Sequence, residues 1–113
     1  MHKVYLGMGS NLGDRNANIE QSIALINERV GDVVRRSSFI ETEPWGFQSN
    51  NAFLNAVILC ETTLTPREVL KATKKIEREL GKTRVHAAAS RKSANFFIIA
   101  RRYEKMPSPY LRV

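Results

Sequence analysis

The sequence of 113 residues is long enough to bury a sizeable core, and we expect one domain over residues 1–113. A hydrophobic fraction of 42% and a charged fraction of 26% are ordinary for a globular protein, which excludes disordered and fibrous classes. The formal net charge of +7 favours an anionic partner, and composition alone does not choose between nucleic acid, a membrane surface and a phosphorylated small molecule.

Membrane insertion and secretion are not indicated by the sequence. The longest purely apolar run, residues 96–100, is far too short to span a bilayer, and "MHKVYLGMGS" lacks the apolar stretch of a signal peptide. We therefore expect a cytoplasmic protein with no membrane partner. The single cysteine, Cys60, lies inside an apolar run, which predicts a buried thiol.

The first part of the chain predicts a strand, a helix and a second strand. "HKVYLGMGSN" alternates apolar and polar residues, and its glycines predict that this first strand is short and runs into a loop. Asp14 is a suitable N-cap for a helix that Gly31 ends. The apolar residues that recur at helical spacing between them are Ile19, Ile23, Ile26 and Val30. "VVRRSSFIETE" predicts a second strand, and "EPWGFQSNNA" a loop.

The second part predicts a central strand, a well-capped helix and a last strand. "FLNAVILCE", residues 53–61, is mostly apolar on both faces. Thr65 as N-cap, Pro66 at the first helical position and Glu68 form a capping box for a helix that Gly81 ends. The inner stripe of this helix is Val69, Thr73, Ile76 and Leu80. With "NFFIIA" as the last strand, the order βαββαβ predicts a ferredoxin-like α+β fold, an antiparallel sheet with two helices packed on one face.

Three features of this framework are candidates for function. Phe53 and Asn55 share one strand face, where the aromatic ring can stack on a flat heterocycle and the amide can form hydrogen bonds to its edge. The structural alternative is that a neighbouring loop forms the hydrogen bonds of Asn55. Glu77 lies in the last helical turn, where the helix dipole disfavours an anion, and a pair with Lys74, Lys75 or Arg78 is the alternative to a ligand contact.

The third feature is a basic cluster, Lys82, Arg84, Arg91 and Lys92, in a stretch without one acid between Glu79 and Glu104. It follows the second helix directly, so we expect it on a loop at one end of the sheet, where phosphate-binding lids commonly lie. A solvated loop is the alternative reading of the same charges.

Taken together, these segments resemble the 6-hydroxymethyl-7,8-dihydropterin pyrophosphokinase family of folate biosynthesis. The resemblance is carried by "VYLGMGSNLGD", "SSFIETEPWGFQSNNAFLNAV" and "TTLTPREVLKATKKIERELGKTR", which cover nearly all of residues 4–84. It implies transfer of pyrophosphate from ATP to the hydroxymethyl oxygen of the pterin, with release of AMP and the help of two Mg²⁺ ions.

The resemblance also implies roles for individual residues. Pterin binding falls on Thr42, Glu43, Pro44, Trp45, Phe53 and Asn55. Glu77 matches a position at the nucleotide site, and the catalytic, triphosphate-binding cations fall on Lys82, Arg84 and Lys92. Cations are suited to this role because phosphoryl-type transfer depends mainly on positioning and charge neutralisation.

The sequence departs from the family after residue 84. The family motif Arg-x-Ile-Asp-Ile-Asp, whose aspartates hold the magnesium ions, places Asn95 and Phe97 at the aspartate positions when it is laid on Lys92. Asn95 is then the one candidate metal ligand, although an amide is a poor ligand for Mg²⁺ and a phenyl ring is none. We therefore predict a truncated or diverged member that lacks the family's C-terminal portion and keeps the first half of the pterin pocket.

Two further hypotheses stay open beside the pyrophosphokinase. One is a non-catalytic pterin- or nucleotide-binding remnant of the family. The other is an RNA-binding module, which suits the element order and the charge; the third strand lacks the RNP1 pattern, so we expect no nucleic-acid partner. Loss of the C-terminal portion would expose sheet surface, which predicts self-association.

Overall fold

The computed structural model describes residues 1–11, 13–42, 52–82 and 96–105. Within these ranges two helices accompany a five-stranded antiparallel sheet. The elements in chain order are β1 (His2–Ser10), α1 (Arg15–Arg29), β2 (Asp32–Arg36), β3 (Ile40–Thr42), β4 (Phe53–Thr62), α2 (Pro66–Lys82) and β5 (Phe96–Lys105). This is the α+β, ferredoxin-like arrangement that the sequence predicts.

The sheet has the strand order β2-β4-β1-β5, and β3 pairs with β4 beyond the end of β2. β4 is therefore a central strand, as its two apolar faces predict. Residues that pair across antiparallel strands point to the same face, so Leu6, Ile58 and Ala100 form one row toward the helices. Both helices cover this face, and among the described residues no helix lies on the opposite face of the sheet.

The first strand does not end at its glycines, contrary to the prediction from sequence. β1 continues through Gly7 and Gly9 to Ser10 and pairs along its whole length with β4 and β5. A Cβ atom at Gly9 would lie 2.4 Å from the ring of Phe97. A bare backbone is therefore needed inside the strand where a neighbouring side chain crosses it, and the glycine marks a close approach rather than a turn.

The helix caps follow the predictions. Asp14 Oδ1 accepts a hydrogen bond from the Ala17 backbone N–H at 3.0 Å and starts α1. The capping box of α2 is reciprocal: Thr65 Oγ1 accepts from the Glu68 N–H at 3.2 Å, and Glu68 Oε1 accepts from the Thr65 N–H at 2.9 Å. The end of α2 differs from the prediction because the helix continues through Gly81 to Lys82.

The segment predicted as one second strand, "VVRRSSFIETE", forms two short strands instead. β2 and β3 both pair with β4, and residues 37–39 between them leave the ladder. Ser37 explains how the pairing is maintained across this break: its backbone N–H donates to Val57 O, and its Oγ accepts from the Val57 N–H, each at 2.9 Å. A side-chain oxygen thus replaces one backbone acceptor of the ladder.

The core lies between the sheet and the helices. Its buried residues are Val4, Leu6, Met8, Ile19, Ile23, Ile26, Val30, Ala56, Ile58, Cys60, Val69, Ile76, Leu80, Phe96 and Ile98. The predicted apolar stripes of both helices are therefore confirmed, and so is the burial of the Cys60 thiol. In the part of the chain that the structure describes, no helix is long and apolar enough to cross a membrane.

Burial of Cys60 gives the folded protein a dependence on alkaline pH. Burial raises the pKa of its thiol from the ordinary value of 9.0 to about 11, with a smaller contribution from the charge of Asp32. The folded state therefore keeps its proton while the unfolded chain loses it. This stabilising contribution is complete below about pH 9 and is lost as pH rises toward 11.

We expect the free energy of unfolding to fall by about 2 kcal/mol more between pH 7.5 and 10.5 in the natural chain than in a Cys60→Ala variant. Urea titrations of both proteins at the two pH values measure this difference. The variant also corrects for Tyr103, whose pKa burial raises as well and which titrates in both proteins. Equal slopes with pH in the two proteins would contradict the assignment.

Candidate functional site

The candidate site lies on the sheet face opposite α1 and α2, which we call the open face. Gly9 pairs with Asn55 on one side and with Phe97 on the other, so these three residues form one row across β4, β1 and β5. Phe53, two residues before Asn55 on the same strand, lies on the same face. The predicted pair of aromatic ring and amide is therefore placed on one surface.

The row is closely packed because Gly9 has no side chain. Two ring atoms of Phe97 and the side-chain oxygen of Asn55 all lie within 3 Å of the point where a Cβ of Gly9 would stand. The rings of Phe97 and Phe53 are tilted by 50° with centroids 5.5 Å apart. The backbone of Gly9 thus forms a floor on which an amide oxygen and an aromatic pair meet.

The amide of Asn55 has a defined orientation. Its Nδ2 donates to Thr42 Oγ1 at 2.9 Å, with longer contacts to the carbonyl oxygens of Ile40 at 3.4 Å and Phe53 at 3.5 Å. Both Thr42 and Ile40 belong to β3, so this short strand satisfies the donor end of the amide. The oxygen is then directed over Gly9, where it can accept a hydrogen bond from an N–H group of a ligand.

Arg15, in the first turn of α1, fixes the two chain segments that border residues 43–51. Its Nη1 donates to Glu41 Oε2 at 2.7 Å and to the carbonyl oxygen of Ala52 at 2.9 Å. One guanidinium therefore connects the end of β3 to the start of β4. The sequence alone did not identify this residue, since its partners are 26 and 37 positions away.

Glu77 lies at the outer edge of β5 rather than on the open face. Its Oε2 accepts from the Ile98 backbone N–H at 2.9 Å, and its Oε1 lies 3.4 Å from Lys74 Nζ. The predicted pairing with Lys74 is therefore present. The carboxylate also satisfies an edge-strand donor, which supplies a structural reason for an anion in the last part of the helix.

The structure positions only part of the predicted phosphate and metal site. Lys82 is the last residue of α2. The remaining predicted residues, which lie outside the described ranges, are Glu43, Pro44, Trp45, Arg84, Lys92 and Asn95. Their assigned roles stay predictions.

Position 97 does not fit a metal site. Its phenyl ring offers no donor atom for a hard cation and packs instead on Gly9 and Phe53. In the part of the chain that the structure describes, no group of three or more His, Cys, Asp or Glu side chains could hold a metal ion. Around Gly9 the described residues instead offer an aromatic pair and an amide oxygen.

Sequence reasoning missed two members of the row, Gly9 and Phe97, as neighbours of Asn55. The alternation in "NFFIIA" indicates that Phe97 shares a face with Ile99, but no local pattern reveals which residue of β1 lies opposite. The register between strands far apart in the chain supplies that information, and only the structure contains it.

Comparisons with known proteins identify the family and relatives of this chain. The sequence profile of the family described as 7,8-dihydro-6-hydroxymethylpterin-pyrophosphokinase matches residues 5–100. A Porphyromonas gingivalis protein named 2-amino-4-hydroxy-6-hydroxymethyldihydropteridine pyrophosphokinase is 49% identical over 80 residues, covering 71% of this chain and 54% of the relative. A Bacillus subtilis protein of the same name is 41% identical over 81 residues, covering 71% of this chain and 48% of the relative.

A more distant relative is the mitochondrial folate synthesis bifunctional protein of Pisum sativum, which is 35% identical over 81 residues. The match covers 72% of this chain and 16% of that longer protein. The chain thus spans about half the length of the Porphyromonas and Bacillus relatives that it matches.

The bond between Thr42 and Asn55 is testable without any ligand. Thr42→Val removes the hydroxyl and keeps the shape, and we expect it to lower the free energy of unfolding by about 0.5 to 1 kcal/mol. The side-chain amide signals of Asn55 should shift in a ¹H–¹⁵N spectrum. Thr42→Ser retains the acceptor oxygen and serves as the control; unchanged Asn55 signals in Thr42→Val would contradict the orienting role.

Proposed function

This chain belongs to the 7,8-dihydro-6-hydroxymethylpterin-pyrophosphokinase family, and on that premise we propose that it acts in the transfer of pyrophosphate from ATP to 6-hydroxymethyl-7,8-dihydropterin. The open face around Gly9 is the proposed pterin site. The observation that carries the proposal is the oriented Asn55 amide beside Phe53, since a pterin presents both a flat ring and N–H donors on one edge.

The proposed contacts to the pterin follow from the geometry of this face. The Asn55 oxygen accepts from the amino-pyrimidine edge, and the Phe53 ring contacts the flat face of the heterocycle. Thr42 orients Asn55 from β3. Glu43, Pro44 and Trp45, which follow Thr42 directly in the chain, are the proposed source of main-chain contacts to the pterin.

The proposed ATP site uses the cations that follow α2. Lys82, Arg84 and Lys92 supply positive charge for the triphosphate, and the net charge of +7 favours such a polyanion. Glu77 is the proposed nucleotide-contacting carboxylate. In the structure its carboxylate accepts a hydrogen bond from the Ile98 N–H and pairs with Lys74. A ligand that contacts Glu77 would therefore replace one of these two partners or share the carboxylate with it.

At position 97, where the family motif has an aspartate that binds Mg²⁺, this chain has Phe97. Asn95 is the remaining proposed ligand, through an amide oxygen, and ATP phosphates supply oxygens of their own. The residues present therefore support binding of the two substrates more directly than they support the transfer step.

A second candidate function is favoured by this observation. The phenyl ring of Phe97 at a position that the family motif gives to aspartate supports a non-catalytic pterin- or nucleotide-binding member. The two functions share the pterin site and differ in whether AMP is released.

Pterin-dependent AMP formation from ATP and Mg²⁺ distinguishes them: AMP release that stops when the pterin is omitted would support the pyrophosphokinase. We also expect Asn55→Ala to weaken pterin binding about tenfold, because one well-oriented hydrogen bond is lost. Asn16→Ala, an amide removed from the exposed surface of α1, is the matched control.

Each result of this assay supports one of the two candidate functions or contradicts the proposed pterin site. Pterin binding by a folded chain without AMP above background would establish the non-catalytic function. Equal pterin affinity in the natural chain and in Asn55→Ala would contradict the proposed pterin site, whatever the result with ATP.

We also propose that the chain self-associates through the open face. Val57, Gly7 and Ile99 form a second row beside the site, and the two aliphatic side chains are 39% and 48% exposed. A second copy is the proposed partner because the exposed aliphatic side chains of two copies can cover each other, with the Arg101 side chain, 3.5 Å from the Cβ position of Gly7, lying between them in each copy.

Sedimentation at increasing concentration tests this association. We expect the natural chain to form a dimer at high micromolar concentration, and Ile99→Lys to weaken the dimer about tenfold or more by placing a charge in the contact. Leu70→Lys changes an equally exposed side chain on α2 and should leave the association unchanged. A monomeric profile of the natural chain at every concentration would contradict the proposal.

A further inference from the structure

Phe97 occupies the surface on which the proposed ligand would lie. Its ring atoms Cζ and Cε2 lie 2.4 and 2.6 Å from the Cβ position of Gly9, so the ring covers the backbone floor of the site. The oxygen of Asn55 lies 2.8 Å from the same point on the opposite side. The ring therefore stands directly beside the acceptor that the site offers to a ligand.

The contact between the two aromatic rings leaves no slot between them. Their centroids are 5.5 Å apart at a tilt of 50°, whereas a flat ring stacked between two others requires about 7 Å between them. The geometry is that of a tilted aromatic pair, which is itself stabilising. Phe97 thus interacts with Phe53 as a ligand ring would, rather than forming the second wall of a sandwich.

We propose that Phe97 is an internal occupant of the pterin site, whose ring must leave Gly9 and Phe53 before a flat heterocycle can bind. This inference rests on the proposed function, since it concerns the same surface. It makes residue 97 a determinant of ligand affinity, in place of the metal-binding role that the family motif gives to this position.

The backbone of β5 determines how the ring can move. Ile98, the next residue, donates its N–H to Glu77 at 2.9 Å and is itself 2% exposed. Phe97 is the second residue of β5, and its two chain neighbours, Phe96 and Ile98, pair with Ser10 and Met8 of β1. The strand is therefore held on both sides of the ring, and displacement takes place by rotation of the Phe97 side chain about χ1 rather than by movement of the strand.

The experiment measures pterin affinity by fluorescence titration for the natural chain, Phe97→Ala and Phe97→Leu. Because the ligand no longer competes with an aromatic pair, we expect Phe97→Ala to bind about three- to tenfold more tightly. Phe97→Leu keeps an apolar side chain on Gly9 and should fall between the two. It also provides the comparison if the alanine variant does not fold.

A second readout follows the ring itself. The Gly9 Hα proton on the open face points toward the Phe97 ring, so we expect a ring-current shift of its signal that both variants lose. At saturating pterin the Gly9 signals of the natural chain should match those of the Phe97→Ala complex, because in both complexes the ring has left. If the Gly9 signals keep the ring-current shift caused by Phe97 at saturating pterin, the ring has stayed in place and the inference is overturned.

The outcomes separate this inference from the proposed function. Binding by Phe97→Ala that is equal to or weaker than that of the natural chain would show that the ring is a neutral or supporting wall, and would overturn the inference alone. Binding by the variants but not by the natural chain would support it most strongly. Absence of pterin binding in all three folded proteins would overturn the proposed function, and the inference with it.

Discussion

The pairing of β1 with β4 on one side and with β5 on the other is the constraint on which the rest of this structure depends. Its register places Met8 between Ala56 and Ile98 toward the helices, and the next residue between Asn55 and Phe97 on the open face. A shift by one residue would exchange the two faces and expose the core. The register that buries the core is therefore also the one that assembles the site.

The sequence predicts the elements of this fold well where a signal is local. The capping box of α2 depends on residues three positions apart, and the burial of Ile19, Ile23 and Ile26 follows from helical spacing. The wrong prediction at Gly9 has a different origin. The local sequence is the same whether a glycine lies in a turn or in a strand that a neighbouring side chain crosses. The role of Gly9 depends on Phe97, which is 88 residues away in the chain.

The candidate site could be predicted in part for the same reason. Phe53 and Asn55 lie two residues apart on one strand, and alternation places them on one face without knowledge of the fold. The orientation of the amide requires Thr42 from another strand. An amide without that partner can present either its oxygen or its nitrogen to a ligand. The long-range contact therefore converts a general polar group into a defined acceptor.

Position 97 shows how one substitution changes the chemistry that a surface can support. A carboxylate there would require cations, whereas a phenyl ring requires apolar contacts, which the bare backbone of Gly9 and the ring of Phe53 supply. The orientation of the Asn55 amide does not depend on the residue at position 97, since its Nδ2 donates to acceptors on β3. Phosphoryl transfer in general relies on metal ions as well as side-chain cations, and a phenyl ring supplies no metal ligand. The acceptor that Asn55 provides and the lack of a metal ligand at position 97 are thus independent features of this sheet face.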